Sequence, residues 1–166
     1  MKKLLGGLVL SLSLLAGSAQ ADIAKMYYGL GVTDGSLEVE GGEDDSLGTV
    51  NATLGLQLLD FVGLELEVGS ASDQTSSILS DPLFTYQALM VRLGYRWDRA
   101  GVYLLGGQGR ADASGSSTSD SFNAFGFGIN LFGNETTALN LHVLDLDDGA
   151  FKTATIGFQY YFGGFR

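Results

Sequence analysis

Cysteine is absent from this chain of 166 residues, which removes disulfides as a source of stability and excludes a catalytic thiol. Proline occurs once, at Pro82, against 25 glycines. That balance argues against a disordered Pro-rich segment and for closely packed strands. Histidine also occurs once, at His142, so any histidine-dependent mechanism runs through that position. Cations are scarce: 9 Lys and Arg stand against 19 Asp and Glu, for a formal net charge of −10. Such a chain is a poor partner for nucleic acid, whose binding rests on neutralised phosphates. No apolar run reaches the ~20 residues that a membrane-crossing helix requires.

What is present begins with Lys2 and Lys3, an apolar run from Leu4 to Leu15, and small residues leading to Ala19-Gln20-Ala21. This order predicts a cleaved secretory signal peptide over 1–21 and a single mature domain over 22–166. Loss of Lys2 and Lys3 leaves the mature part more acidic still. The mean hydropathy of the whole chain is nonetheless positive, +0.18, although 17% of its residues are charged. Apolar and charged side chains must be sorted onto different surfaces.

The sorting has a period of two, as in strands whose side chains alternate between faces. Val50, Ala52, Leu54, Leu56 and Leu58 alternate with Asn51, Thr53, Gly55 and Gln57; Val62, Leu64, Leu66 and Val68 alternate with Gly63, Glu65, Glu67 and Gly69. The same holds for Leu89 to Arg96 and Ala124 to Leu131. It is clearest in Thr153 to Phe162, where Ala154, Ile156, Phe158, Tyr160 and Phe162 oppose Thr153, Thr155, Gly157, Gln159 and Tyr161. With Ile23 to Thr33, Gly101 to Ala111 and Thr137 to Leu146 this makes eight predicted strands, each near the ~9 to 11 residues that cross a bilayer when tilted. Register is weakest in the fifth, and in the seventh, where Leu144 and Leu146 fall on the polar face; a bulge is one way to shift either.

Polar connections over Asp34 to Ser46, Ala71 to Asp81 and Asp112 to Asp120 alternate with tight turns at Asp60-Phe61, Trp97 to Ala100 and Gly133 to Thr136. Long loops thus share one end and short turns the other, as in outer-membrane barrels. The connection Asp147 to Ala150 is short and departs from the alternation. The polar face is rich in Gly, Ala, Ser, Thr and Asn, which suit a narrow eight-stranded interior, while the Leu, Val, Ile, Phe and Tyr of the other face would overfill it and suit lipid. Tyr27, Tyr28, Tyr95, Trp97, Tyr160, Tyr161 and Phe162, near strand ends, are assigned to an interfacial girdle. The predicted fold is all-β: an eight-stranded antiparallel up-and-down transmembrane β-barrel.

The segments YYGLGV (27–32), GLELEVG (63–69), YLLGGQGR (103–110), FGFGINL (125–131) and IGFQYYF (156–162) resemble the outer-membrane β-barrel domain family, the small OmpA/OmpX-like eight-stranded barrels of Gram-negative bacteria. The resemblance spans the mature chain and reports architecture more than activity. It implies residence in the cell outer membrane among lipid and lipopolysaccharide, and a final strand read by the barrel-assembly machinery. Phe158, Tyr160 and Phe162 match that strand's pattern. The chain continues to Phe165, which competes with Phe162 as the terminal aromatic.

Glu65, Glu67, Arg92 and Arg110 fall on polar faces of adjacent segments, with Lys25 and Arg96 nearer the periplasmic ends. Charges in a narrow lumen must pair, so these four are the predicted lumen ion-pair set, with Glu65 or Glu67 facing Arg92. They form a structural plug on one account and an ion-pair gate or proton path on the other. His142 is expected to be a lumen histidine bonded to Asn140 or a neighbouring strand, since no serine stands beside it as a nucleophile. The acidic cluster Glu38, Glu40, Glu43, Asp44 and Asp45, with Asp147 and Asp148, has the oxygen chemistry of a Ca²⁺ or Mg²⁺ site but not the spacing of one, and is taken as a solvated surface. No catalytic, cofactor-binding or metal-binding residue is assigned, and no cofactor. The expectation is a monomeric structural or surface-interaction protein, adhesion-like, contacting outer-membrane lipid, lipopolysaccharide and an unspecified extracellular ligand. The alternatives are a narrow porin-like channel, a lipid A-modifying enzyme acting through His142, and a soluble carrier with reversed faces.

Overall fold

The computed structural model describes residues 24–37, 45–58, 61–73, 84–113, 119–146 and 151–163. They form eight strands: β1 (Ala24–Leu37), β2 (Asp45–Leu58), β3 (Val62–Asp73), β4 (Phe84–Trp97), β5 (Ala100–Ala113), β6 (Ser119–Phe132), β7 (Thr137–Leu146) and β8 (Phe151–Phe162). Each is antiparallel to the next, and β8 returns to pair with β1, so the sheet is a closed barrel. Closure leaves no strand with a free row of N–H and C=O groups, the condition lipid imposes on any sheet that crosses it.

The strand ends joined by 59–61, 98–99 and 133–136 lie at one rim, where β1 starts and β8 ends; the strand ends joined by 38–44, 74–83, 114–118 and 147–150 lie at the other. At the short rim, Asn134 Oδ1 accepts from the backbone N–H of Thr136 at 2.9 Å and of Thr137 at 2.8 Å, a side-chain turn that reverses the chain before β7. Toward the long-connection rim most strands run further than the hydrophobic pattern extends. β1 reaches Leu37, β3 reaches Asp73 and β6 begins at Ser119, so residues assigned from sequence to connections belong to the ladder. The backbone bonds that make a strand need no apolar side chain. Beyond the apolar layer both faces meet water, and the alternation fades before the pairing does.

The outward face carries the bulky hydrocarbon residues: Leu54 is 45% exposed, Leu30 67% and Phe158 72%. A belt of this size in open water would drive aggregation, so it requires lipid. Tyr28, Tyr95, Trp97, Tyr160 and Phe162 ring the short-turn rim on that face, with Tyr28 and Tyr160 centroids 5.6 Å apart and Tyr95 and Trp97 6.1 Å apart.

Tyr27 and Tyr161, assigned to the same girdle, are instead buried in the lumen. The interior is also bulkier than small residues alone would make it. One cluster packs Tyr86, Met90, Tyr103, Leu105, Phe122, Leu144, Leu146 and Phe151, and a second joins Tyr27, Ala138 and Tyr161, with Phe132 against them. Space for these rings comes from glycines directly across the ladder. A Cβ added to Gly55, Gly69, Gly109 or Gly128 would collide with Tyr27, Tyr86, Phe122 or Tyr103, its partner in register. Each ring lies over the bare backbone of its glycine. No bulge intervenes in β7, whose register with β8 runs unbroken from Thr137↔Tyr160 to Leu146↔Phe151; Leu144 and Leu146 point inward because the apolar cluster receives them.

Candidate functional site in the lumen

β3 places Glu65 and Glu67 two residues apart, both inward and buried. Alternation requires this, since Leu64, Leu66 and Val68 take the lipid side. Across the ladder, β4 points Arg92 into the same space. Arg92 Nη1 lies 3.2 Å from Glu65 Oε2 and donates to Tyr27 Oη at 3.1 Å, while the Tyr27 hydroxyl donates to Glu65. The guanidinium carbon stands 3.6 Å from the centroid of the Tyr103 ring and 5.2 Å from that of Tyr27. The charge therefore has a carboxylate along its edge and aromatic faces above it, the combination that makes a buried Arg tolerable.

Glu67 has different neighbours. Its Oε1 accepts from Tyr86 Oη at 2.7 Å and Asn51 Nδ2 at 3.1 Å. Its Oε2 is 3.4 Å from His142 Nε2, and neither atom has a well-aligned hydrogen bond. His142 Nδ1 meets Asn140 Oδ1 at 2.8 Å. Asn140 Nδ2 donates to Asn130 Oδ1 at 2.6 Å and to the Tyr103 hydroxyl, so its carbonyl oxygen is the atom turned to the ring. His142 then donates from Nδ1, and protonation of Nε2 decides whether Glu67 meets a lone pair or a proton.

The chain of bonds continues to the short-turn rim: Asn130 Nδ2 donates to Gln159 Oε1 at 2.9 Å and to Tyr161 Oη at 2.6 Å. Ion pair, rings and amides fill the cross-section between the two apolar clusters. Among the described residues no three His, Asp or Glu side chains converge as metal ligands do.

Arg110 stands apart from this set, and its predicted place in the lumen is corrected. β5 turns Tyr103, Leu105, Gly107 and Gly109 inward, so Arg110 is exposed on the outward face, beside Gln87 of β4 and Ser121 of β6. Polarity alone had set its direction, whereas the ring of Phe122, which needs Gly109 beneath it, fixes the opposite phase. Lys25 and Arg96 are half-buried at the short-turn rim, and Phe158, Tyr160 and Phe162 face outward on β8. Phe165, Ser114, Ser116, the acidic cluster from Glu38 to Asp44, and Asp147 and Asp148 lie outside the described residues.

The contact of His142 with Asn140 is the one expected from sequence, whereas Tyr27, Tyr86, Tyr103, Tyr161, Asn51, Asn130 and Gln159 are members that sequence reasoning did not assign to the lumen set. For Tyr161 a signal existed: it shares its parity with Thr153, Thr155 and Gln159.

Residues 7–162 match the family described as outer membrane protein beta-barrel domain. No curated protein sequence matches the chain significantly. Among solved structures the fold is similar to Ail, the attachment invasion locus protein of Yersinia pestis, at TM-score 0.58 and 19% identity, covering 84% of this chain and 99% of that one. It is similar to the N-terminal β-barrel domain of Pseudomonas aeruginosa OprF, at TM-score 0.60 and 12% identity over 82% and 97%, and to Neisserial surface protein A, at 0.53 and 11% over 84% and 97%. Ail has also been solved with the heparin analogue sucrose octasulfate; that structure matches at TM-score 0.55 and 16% identity over 84% of this chain and 99% of that one.

Proposed function

The chain belongs to the outer membrane protein beta-barrel domain family, and on that premise we propose that it is a structural and surface-contact protein of the outer membrane, closed to solutes by its own side chains. The observation that carries this is the layer of Arg92, Glu65, Tyr27 and Tyr103 across the lumen, capped toward the long connections by Tyr86, Phe122, Leu144 and Phe151. A channel would have to break a buried ion pair and displace an apolar cluster. The long connections form the contact surface. Their Glu38, Glu40, Glu43, Asp44, Asp147 and Asp148 favour a cationic extracellular partner or one bridged by divalent ions, and disfavour a sulfated polyanion of the kind solved with Ail. Lipid and lipopolysaccharide surround the outward face of the monomer.

Export by a cleaved signal over 1–21 and reading of Phe158, Tyr160 and Phe162 by the assembly machinery complete the proposal; N-terminal sequencing of the mature protein checks the first. An enzymatic role through His142 finds no support, because that ring faces Glu67 and Asn140 inside the barrel and not the lipid. Planar-bilayer recording is the deciding experiment: the folded protein is expected to give no discrete conductance steps. Steps that survive purification and change with substitutions at Arg92 would establish the porin-like alternative.

A further inference from the structure

The outward face is not uniformly apolar. One register row, Leu30↔Ala52↔Val68↔Gln87↔Arg110↔Ser121, runs from β1 to β6, and along it the side chains pass from hydrocarbon through amide to guanidinium. Two adjoining depressions of the outer wall follow that row. The first, of about 520 Å³, lies against Leu30, Val50, Ala52, Val68 and Ser70, with Asp112 at its edge nearest the long connections; the short side chains of Ala52 and Ser70 sink its floor. The second, of about 400 Å³, lies against Gln108, Arg110, Ser121 and Asn123. Gln87 borders both, and each has the room of an ordinary ligand site.

The row also climbs. Leu30 is the seventh residue of β1 counted from the short-turn rim, whereas Arg110 is the eleventh of β5. The hydrocarbon end therefore lies deeper in the membrane, and the cationic end stands toward the long-connection rim, which is extracellular in bacterial outer-membrane barrels. An outward charge is tolerated there, because its cost falls from the bilayer midplane to the interface. Gln87, Gln108, Arg110, Ser121 and Asn123 are all exposed on this face, and every one of them carries N–H or O–H donors. Asp112, two residues nearer the rim on the same face of β5, is the carboxylate among them. Hydrocarbon below and a guanidinium flanked by amide and hydroxyl donors above match an amphiphile whose head carries phosphate, since the guanidinium fork fits phosphate oxygens. Strand spacing sets Ala52 and Arg110 roughly 14 Å apart, so a ligand touching both must present a head and a length of chain.

We infer that this oblique groove seats one phosphorylated lipid of the outer leaflet, its head-group phosphate on Arg110 with Gln87, Gln108 and Ser121 as further donors, and one acyl chain along Val68, Ala52 and Leu30. The inference rests on the outer-membrane reading given above and adds to it a defined lipid site on one wall of the barrel. Asp112 opposes the phosphate and sets an upper limit on how tightly the head is held.

The test uses the full mature barrel folded in uncharged maltoside micelles, titrated separately with lipid A, with lipid A stripped of its phosphates and with inorganic phosphate, reading the side-chain amide resonances of Gln87 and Gln108. Lipid A is expected to give saturable shifts, the stripped lipid to bind about tenfold more weakly for want of a charge-assisted hydrogen bond, and inorganic phosphate to bind more weakly than either lipid. Arg110→Gln should lower the affinity for lipid A to that for the stripped lipid and leave the latter unchanged. Lys152→Gln, an exposed cation at the same rim whose register partners are Asp145 and Ser36, should bind as the parent does, and Asp112→Asn no more weakly than the parent. Ala52→Phe fills the apolar half from the lipid side and should weaken both lipids. All four positions face outward, so each variant is expected to fold. Equal affinity for the two lipids, inorganic phosphate binding as tightly as lipid A, equal losses in the Arg110 and Lys152 variants, weaker binding by Asp112→Asn, an Ala52→Phe barrel that binds unchanged, or barrels that pair through this face and exclude lipid would each overturn the site. Membrane fractionation separates the premise from the inference: a barrel found in the outer membrane yet indifferent to the phosphates of lipid A refutes the site alone, and one found elsewhere refutes both.

Discussion

Glu65 and Glu67 share a strand, a face and a degree of burial, yet the barrel treats them differently. Glu65 meets a permanent cation, and the pair is enclosed by Tyr27 and Tyr103. Glu67 meets neutral donors, Tyr86 and Asn51, and a histidine whose charge is conditional. A buried carboxylate therefore does not need a salt bridge; it needs its lone pairs satisfied, and amide and phenol donors can do that. The two sites should respond differently to loss of a partner.

The largest effect is expected from Arg92→Met, which leaves Glu65 buried without its cation and should cost about 3–5 kcal/mol, read from the urea midpoint of the micelle-folded barrel. A loss no greater than that of His142→Gln would remove the distinction between the two carboxylates. Next comes Gly55→Ala, which forces the Tyr27 ring off its bed and should cost about 1–3 kcal/mol. That penalty should shrink in a Tyr27→Leu background, because the two positions are coupled. Glu67→Gln keeps an acceptor for Tyr86 and Asn51 and should cost about 1 kcal/mol; a loss matching Arg92→Met would mean that His142 carries full charge. Smallest is Arg110→Gln, on the outward face, expected within about 0.5 kcal/mol of the parent. A large loss there would return Arg110 to the lumen and refute the register of β5.

Much of the fold was legible because lipid imposes its demand on every second residue. The alternation in β2, β3 and β8 fixed which face each residue takes, and the turns at 98–99 and 133–136 fixed which strands are neighbours. Legibility failed where a residue type was taken for a location. Tyr27 and Tyr161 were assigned to the membrane interface because aromatics favour it, although Tyr161 shares parity with Gln159. Arg110 was placed inside because charge is rare outside, although β5 carries no strong alternation of its own. In the lumen the carboxylates and Arg92 were legible as a set. The asparagines and tyrosines that satisfy them were not, since neutral polar residues carry no pattern that distinguishes a network member from filler.

Taken alone, the amino-acid order determined the strand count, the lipid-facing surface and the need for buried charges to find partners, because each follows from a period of two and the cost of an unpaired ion. Only the closed barrel decided that Arg92 belongs to Glu65 and His142 to Glu67, and that Tyr27, Tyr86 and Tyr103 lie over Gly55, Gly69 and Gly128. Those contacts depend on register between strands and on which walls face one another across the lumen, and neither is a property of any local stretch of sequence.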